Sequence, residues 1–404
     1  MKYYPSRTQP IPVNLKAKKN RSLTPADRLL SRGSLLHTAV RKHKRALAAS
    51  IRESLLPIIT IIRCIMTKKR LQPALTLWQH WQRIAFTGQT LLQKKQHNAL
   101  CAPEYDPSEE DNIVLLSGEK ALPEIPKIIW MYWDNEYLPK SMALNIKQLR
   151  QDNPDHQVYV LNRLTLKEVL PDFIFTSTQL SEQQKSEVIR LELLLRYGGI
   201  AIDCSTLLFE DLSWVHRAHQ ERRMDVIGYY REVATVNYLA PVIENWFLAA
   251  APNNPFIREW QKQYAPIKHL GAHNYFNELA KRDDFALLTQ KIADPAQQLG
   301  SLAQQAAMRE HRRVNLYLRK CEANAYYYQR LSNWQSAAFA HAVLFHQRPH
   351  TPPPVIKLSG IEQLHLDFNL RLGNYNRGSL LGAMMQPVVP LSAPLASPIN
   401  KARA

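Results

Sequence analysis

Glu187, Arg190, Asp203 and Ser205 are the residues of this chain whose types and spacing could do chemistry. They lie in the stretch SEQQKSEVIRLELLLRYGGIAIDCSTLLFEDLSW, residues 181–214. Glu187 and Arg190 are three residues apart, so on a helix they share a face. Ile200, Ala201 and Ile202 form a short apolar run, as a strand buried on both faces requires. Asp203 follows directly, and open α/β sheets bind their ligands at the carboxyl ends of strands. The stretch therefore offers an anion, a cation and a strand-end carboxylate close together. The plainer alternative is an exposed helix ion pair beside a turn aspartate, and such pairs contribute little.

The elements that must position these groups are legible locally. Ser181 is placed to cap a helix, and Gln184 completes a capping box. Val188, Leu191 and Leu195 make one apolar row at helical spacing, widened by Ile189 and Leu194. Gly198 and Gly199 end that helix, because glycine accepts the left-handed backbone of a C-terminal cap. Around this centre the pattern predicts strands at 127–133, 157–161 and 225–230 and helices at 141–152 and 256–264. Strands alternating with helices imply an α/β domain with a mainly parallel sheet and helices on both faces. Residues 300–342 read as helical, with a last strand at 343–345.

The run SEVIRLELLLRYGGIAID resembles the S-D-x-x-R and L-x-x-x-G-G-x-x-x-D signature of sugar transferases in glycosyltransferase family 32. It is still more similar to the capsular polysaccharide synthesis proteins related to them. IPKIIWMYWDNEYLP (125–139), the NPD at 153–155 and IENWFLAAAPNNPF (243–256) follow the same resemblance in order. Together these segments cover roughly residues 122–260. The resemblance implies a GT-A-like fold and transfer of a hexose from a nucleotide sugar, with retention of configuration. The acceptor would be a glycan or lipid-linked glycan, as a capsular, exopolysaccharide or lipopolysaccharide precursor. A protein-modifying transferase and a non-catalytic polysaccharide-binding scaffold are the alternatives.

The same resemblance assigns roles by position. Trp130, with Trp133 nearby, would stack on the nucleobase, and Ser186, Gly198 and Gly199 would border the donor. Arg190 would hold the donor, Glu187 a ribose or sugar hydroxyl, and Asn245 the acceptor or the transferred sugar. Asp203 matches the first acid of a D-x-D motif that binds a divalent cation, manganese or magnesium, across the donor phosphates. Here the motif reads Asp203-Cys204-Ser205, so the second acid is absent. The capsular relatives have a similar D-x-T pattern. His346 would stand near the diphosphate as a further metal ligand.

Charge is uneven along the 404 residues. Residues 1–100 hold 20 Lys and Arg against Asp27 and Glu53, which accounts for the whole net charge of +18. Residues 1–23 read as a disordered basic N-terminus. Residues 24–100 read as a basic helical segment suited to an anionic membrane surface. No nucleic-acid-binding motif accompanies this charge, so nucleic acid is not an expected partner. Residues 101–121 read as a linker, 122–350 as the transferase domain, and 351–404 as a C-terminal extension with a loosely ordered tail. The longest N-terminal apolar run, Leu55 to Met66, is too short to span a bilayer. Four cysteines without CxxC spacing suit a reducing compartment. The expected location is cytoplasmic, peripheral on the inner face of the cytoplasmic membrane.

Overall fold

The computed structural model describes residues 100–117 and 123–385. The disorder expected of 1–23 and the membrane-contacting helices expected of 24–99 lie outside the described residues, as does the tail from 386 onward. In chain order the elements that build the site are β1 (Ile113–Leu115), β2 (Ile128–Tyr132), α1 (Lys140–Asp152), β3 (Gln157–Leu161), α2 (Glu182–Tyr197), β4 (Gly199–Ile202), β5 (Thr206–Leu208), α3 (Ser213–Arg222), β6 (Val226–Tyr230) and β7 (Ile243–Ala250). They are followed by α4 (Pro255–Tyr264), α5 (Leu299–Glu310), β8 (Leu316–Lys320), α6 (Ser336–Phe345), β9 (Val355–Lys357) and α7 (Gly360–Arg371).

Seven strands form one sheet in the order β1-β8-β6-β7-β4-β2-β3. The pairings make β2, β3, β4, β6 and β8 run one way, while β7 and β1 run the other. The sheet is therefore mainly parallel, as expected. Alternate residues along each strand feed two separate cores. Trp130, Ala201, Leu248 and Leu318 pack with α2, α4 and α5 on one face. Ile129, Met131, Ile200, Ile202 and Phe247 pack with α1 and α3 on the other. Both faces are covered, which is why β2 and β4 are continuous apolar runs rather than alternating ones.

Helix α2 starts as its sequence requires. The Ser181 hydroxyl accepts from the Gln184 N–H at 3.2 Å, and the Gln184 side chain accepts from the Ser181 N–H at 3.0 Å. It ends at Gly198 (φ +65°) and Gly199 (φ +98°), both in the left-handed region. The chain then enters β4 with Asp203 just beyond its carboxyl end.

Five expectations about the chain's organisation give way. Within 101–121, read as a linker, residues 113–115 pair with β8 as an edge strand, and Ala102 and Tyr105 are buried in a third core. The stretch 300–342 is not continuously helical: α5 is followed by β8, which pairs in parallel with β6. Residues 343–345, read as a last strand, are the end of helix α6. The boundary at 350 is not a structural one, because β9 pairs antiparallel with β5 and α7 packs into the third core. Inside the expected loose tail, Leu380 and Leu381 are fully buried in a short helix, Leu380–Met384.

Candidate active site

A cleft of about 650 Å³ opens at the carboxyl ends of β2 and β4, within the usual range for a small-molecule site. Its floor is made where β7, running antiparallel, brings its first residues beside the end of β4. The Asp203 N–H donates to the Trp246 carbonyl at 2.8 Å. Tyr132 and Trp133 line one side, and Tyr326 and Trp334 line it as well.

Asp203 is the centre of the polar network. Its Oδ1 accepts from the Ser205 N–H at 2.8 Å and from the Ser205 hydroxyl at 2.7 Å. Its Oδ2 lies 3.5 Å from Nη2 of Arg190, and Nζ of Lys357 is 3.6 Å from Oδ1. Burial alone would raise the Asp203 carboxyl. The Lys357 ammonium, the Arg190 guanidinium and the two Ser205 donors overcome it and hold the carboxyl far below the usual range.

Arg190 is almost wholly buried beneath the cleft. Nη1 donates to the Asn245 carbonyl at 2.6 Å and Nη2 to the Ser186 hydroxyl at 3.3 Å. Glu187, three residues before Arg190 on the same helix, is also buried. It accepts from Gln183 Nε2 at 3.0 Å and from the Tyr264 hydroxyl at 2.8 Å. The exposed Glu187–Arg190 pair is therefore not what forms: each side chain has other partners. Ser186, Glu187, Asp203, Ser205 and Asn245 all line the cleft, so the structure brings these expected site residues together. Asn245 stands in strand β7 itself.

Three expected donor contacts are corrected. Trp130 is 5% exposed and lies in mid-strand, roughly 7 Å short of the carboxyl end at the usual rise per residue. Its indole donates to the Gly198 carbonyl at 2.8 Å and stacks on Tyr159 at 4.9 Å. Gly198 and Gly199 stand at the amino end of β4, the end opposite Asp203, where they serve the turn. Trp133, by contrast, reaches the cleft. Trp130→Ala should therefore cost about 3–5 kcal/mol of stability, as large core truncations do, without changing nucleotide affinity per folded molecule. Trp133→Ala should do the reverse, losing about 1–3 kcal/mol of nucleotide affinity if its ring is a base platform. Urea unfolding beside nucleotide titration reads both, and an unstable but tight-binding Trp133 variant would reverse the assignment.

The divalent cation expected at Asp203 and Ser205 does not fit this donor set. Both Asp203 oxygens are engaged, and two side-chain cations already face them within 3.6 Å. Among the described residues no group of three His, Cys, Asp or Glu side chains could hold a metal ion. His346 follows helix α6, with its ring 5.3 Å from that of His341, and does not line the cleft.

Several cleft residues lay outside the sequence reading. Arg231 follows β6 and spans Glu322 at 3.0 Å and Glu244 at 3.7 Å. Its guanidinium stacks over Tyr326 and Trp334, at 4.5 and 5.1 Å from the ring centres. Glu244 is held above the usual carboxylate range by burial, only partly opposed by Arg231. Lys357 carried one unused signal. Ser359-Gly360-Ile361-Glu362 is a capping box, formed in the structure, and it marks β9 as the strand before a helix.

Residues 102–292 match the family model described as capsular polysaccharide synthesis protein. Among curated proteins, 153 residues are 29% identical to O-glycosyltransferase braB of Annulohypoxylon truncatum, covering 33% of this chain and 36% of that protein. A further 158-residue match, at 24% identity, is to the probable glycosyltransferase FCK3 of Fusarium pseudograminearum (strain CS3096), covering 34% and 38%. The chain thus spans little more than a third of the length of these curated relatives. Among solved structures, PaToxG Glycosyltransferase is similar at a TM-score of 0.28 and 16% identity, over 62% of this chain and 88% of that one. Residues 102–292, the stretch similar to the capsular polysaccharide synthesis proteins, carry the capped helix, the glycine turn and Asp203.

Proposed function

We propose that the cleft transfers a sugar from a nucleoside diphosphate sugar to a hydroxyl of a glycan or lipid-linked glycan, on a GT-A-like fold related to glycosyltransferase family 32. The observation that carries this reading is the strand-end network. Asp203 holds Lys357 and Arg190 at the floor of a cleft of substrate size, with aromatic side chains along its walls. A departing diphosphate needs fixed positive charge, and a nucleobase and a sugar ring need flat apolar faces. The names of the two curated relatives point the same way. The sugar would be a hexose, the acceptor a capsular, exopolysaccharide or lipopolysaccharide precursor, and the configuration would be retained. Residues 24–100, with their excess of basic side chains, would place the site at an anionic membrane on its cytoplasmic side. No helix among the described residues is long and apolar enough to cross a membrane.

A panel of nucleotide sugars tests this reading. One donor should raise the melting temperature at concentrations well above its Kd, because ligand held only by the folded state stabilises it by about 2.7 kcal/mol at a hundredfold excess. The same donor should be slowly hydrolysed by the purified protein in the absence of acceptor. A binding scaffold would show no turnover, and a protein-modifying transferase would accept peptide in place of glycan.

A further inference from the structure

Strand β9 carries Lys357 from a distant part of the chain to the end of β4. The register is fixed, with Thr206 opposite Lys357 and Leu207 opposite Ile356. The backbone is pinned on both sides: the Lys357 N–H donates to the Ala325 carbonyl at 3.0 Å, and the Leu358 N–H to the Ser205 carbonyl at 2.8 Å. The ammonium is pinned too. It donates to the Ser205 hydroxyl and to the Leu358 carbonyl at 3.2 Å, and lies 3.6 Å from Asp203 Oδ1. Lys357 lines the cleft.

The charges decide what this arrangement can hold. A strand end with two carboxylates carries two negative charges until a divalent cation arrives. Here one carboxylate faces two cations, which leaves one positive charge before any ligand enters. Ser205 stands where the second acid is expected, and the Lys357 ammonium bonds its oxygen while facing the Asp203 carboxylate. That is the place a cation bridging residues 203 and 205 would take. This count is of Asp203, Lys357 and Arg190 alone; Glu187 accepts from the neutral Gln183 and Tyr264, and Glu244 lies 3.7 Å from Arg231.

We propose that Lys357 is the cleft's resident cation for the departing nucleoside diphosphate, so that transfer proceeds without a divalent metal. The inference rests on the transferase reading. In the step, the bond between the anomeric carbon and the phosphate oxygen breaks, and both electrons stay on that oxygen. The acceptor oxygen bonds to the anomeric carbon, and its proton passes to a phosphate oxygen or to water. Lys357 meets the new phosphate charge, with Arg190 beneath. Asp203 is the positioning residue that holds both cations at the strand end.

The test is calorimetric titration of the full chain with UDP, GDP, ADP and CDP and with the matching nucleosides, in chelator and in manganese. At least one diphosphate should bind in chelator, with the same affinity in manganese. Lys357→Gln should weaken that diphosphate by about 10-fold or more, the loss expected for a hydrogen bond to a charged group, while the nucleoside binds unchanged. Lys357→Gln combined with Ser205→Asp restores two acids and should create a binder that needs manganese. Wild-type affinity that collapses in chelator and returns with manganese overturns the inference and leaves the transferase reading standing. Failure of all four diphosphates in both buffers overturns the transferase reading and the inference with it. The wild-type comparison decides between lysine and metal even if a variant does not fold.

Discussion

Asp203→Asn should lower donor turnover by at least about 100-fold, the scale of losing one preorganised charge-stabilising group. The asparagine keeps the size and most of the hydrogen bonding, and its Oδ1 can still accept from Ser205. What disappears is the charge that holds Lys357 and Arg190 together. Arg190 has almost no contact with solvent, so its guanidinium is left without a counter-charge. Stability should fall as well, toward the lower end of the roughly 3–5 kcal/mol seen when one partner of a buried pair is removed. The lower end applies because the Asp203 side chain keeps 27% of its exposure. Turnover at saturating donor and urea unfolding of the same preparation separate the two effects. A fully active Asp203→Asn enzyme would mean that the cations are placed by something else.

Gly199→Ala is the substitution expected to do most harm to the fold. The residue sits at φ +98°, and a β-carbon there would stand 2.6 Å from the Ile128 carbonyl oxygen and 3.2 Å from the Ile128 β-carbon. The first contact is with backbone of the neighbouring strand, which cannot turn aside. Backbone strain of about 1–3 kcal/mol and overpacking of about 1–3 kcal/mol act at the same point. Their combined size, about 2–6 kcal/mol, is a large fraction of the roughly 5–15 kcal/mol that holds a domain folded. Denaturant unfolding should show the midpoint falling steeply. A loss below about 0.5 kcal/mol would mean that β2 and β4 can separate without cost.

These two positions also mark what the sequence made legible. The capping box, the helical apolar row, the two glycines and the strand-end aspartate are all local signals, and α2, its turn and β4 stand as those signals predict. The mainly parallel sheet followed from the alternation of such units. Trp130 was misplaced for a physical reason. Strand β2 is apolar throughout because both its faces are covered, so its pattern does not say how far along the strand a ring must lie to reach the cleft. Trp133, three residues on, reaches it.

The missed strands have equally specific causes. The end of β7 is Ala249-Ala250, which lacks the β-branched side chains that advertise a strand. Strand β8 lies within a stretch whose Ala, Gln and Arg content favours helix, and the apolar residues around Tyr317 were outweighed by it. Lys357 could not be found by any motif centred on residues 187–205. It is a contact between elements far apart in sequence, set by the β5–β9 pairing and the hydrogen bond to the Ala325 carbonyl.

That separation has a consequence in time. Lys357 follows Asp203 by 154 residues, so at about 5–20 residues per second a ribosome delivers it roughly 10–30 s after the aspartate. During that interval the chain contains Asp203 and Arg190 but not the Lys357 that faces the same carboxylate in the folded protein. A polypeptide halted before β9 would lack the ammonium altogether. On the reading that Lys357 meets the departing diphosphate, the site is complete only once β5 and β9 have paired.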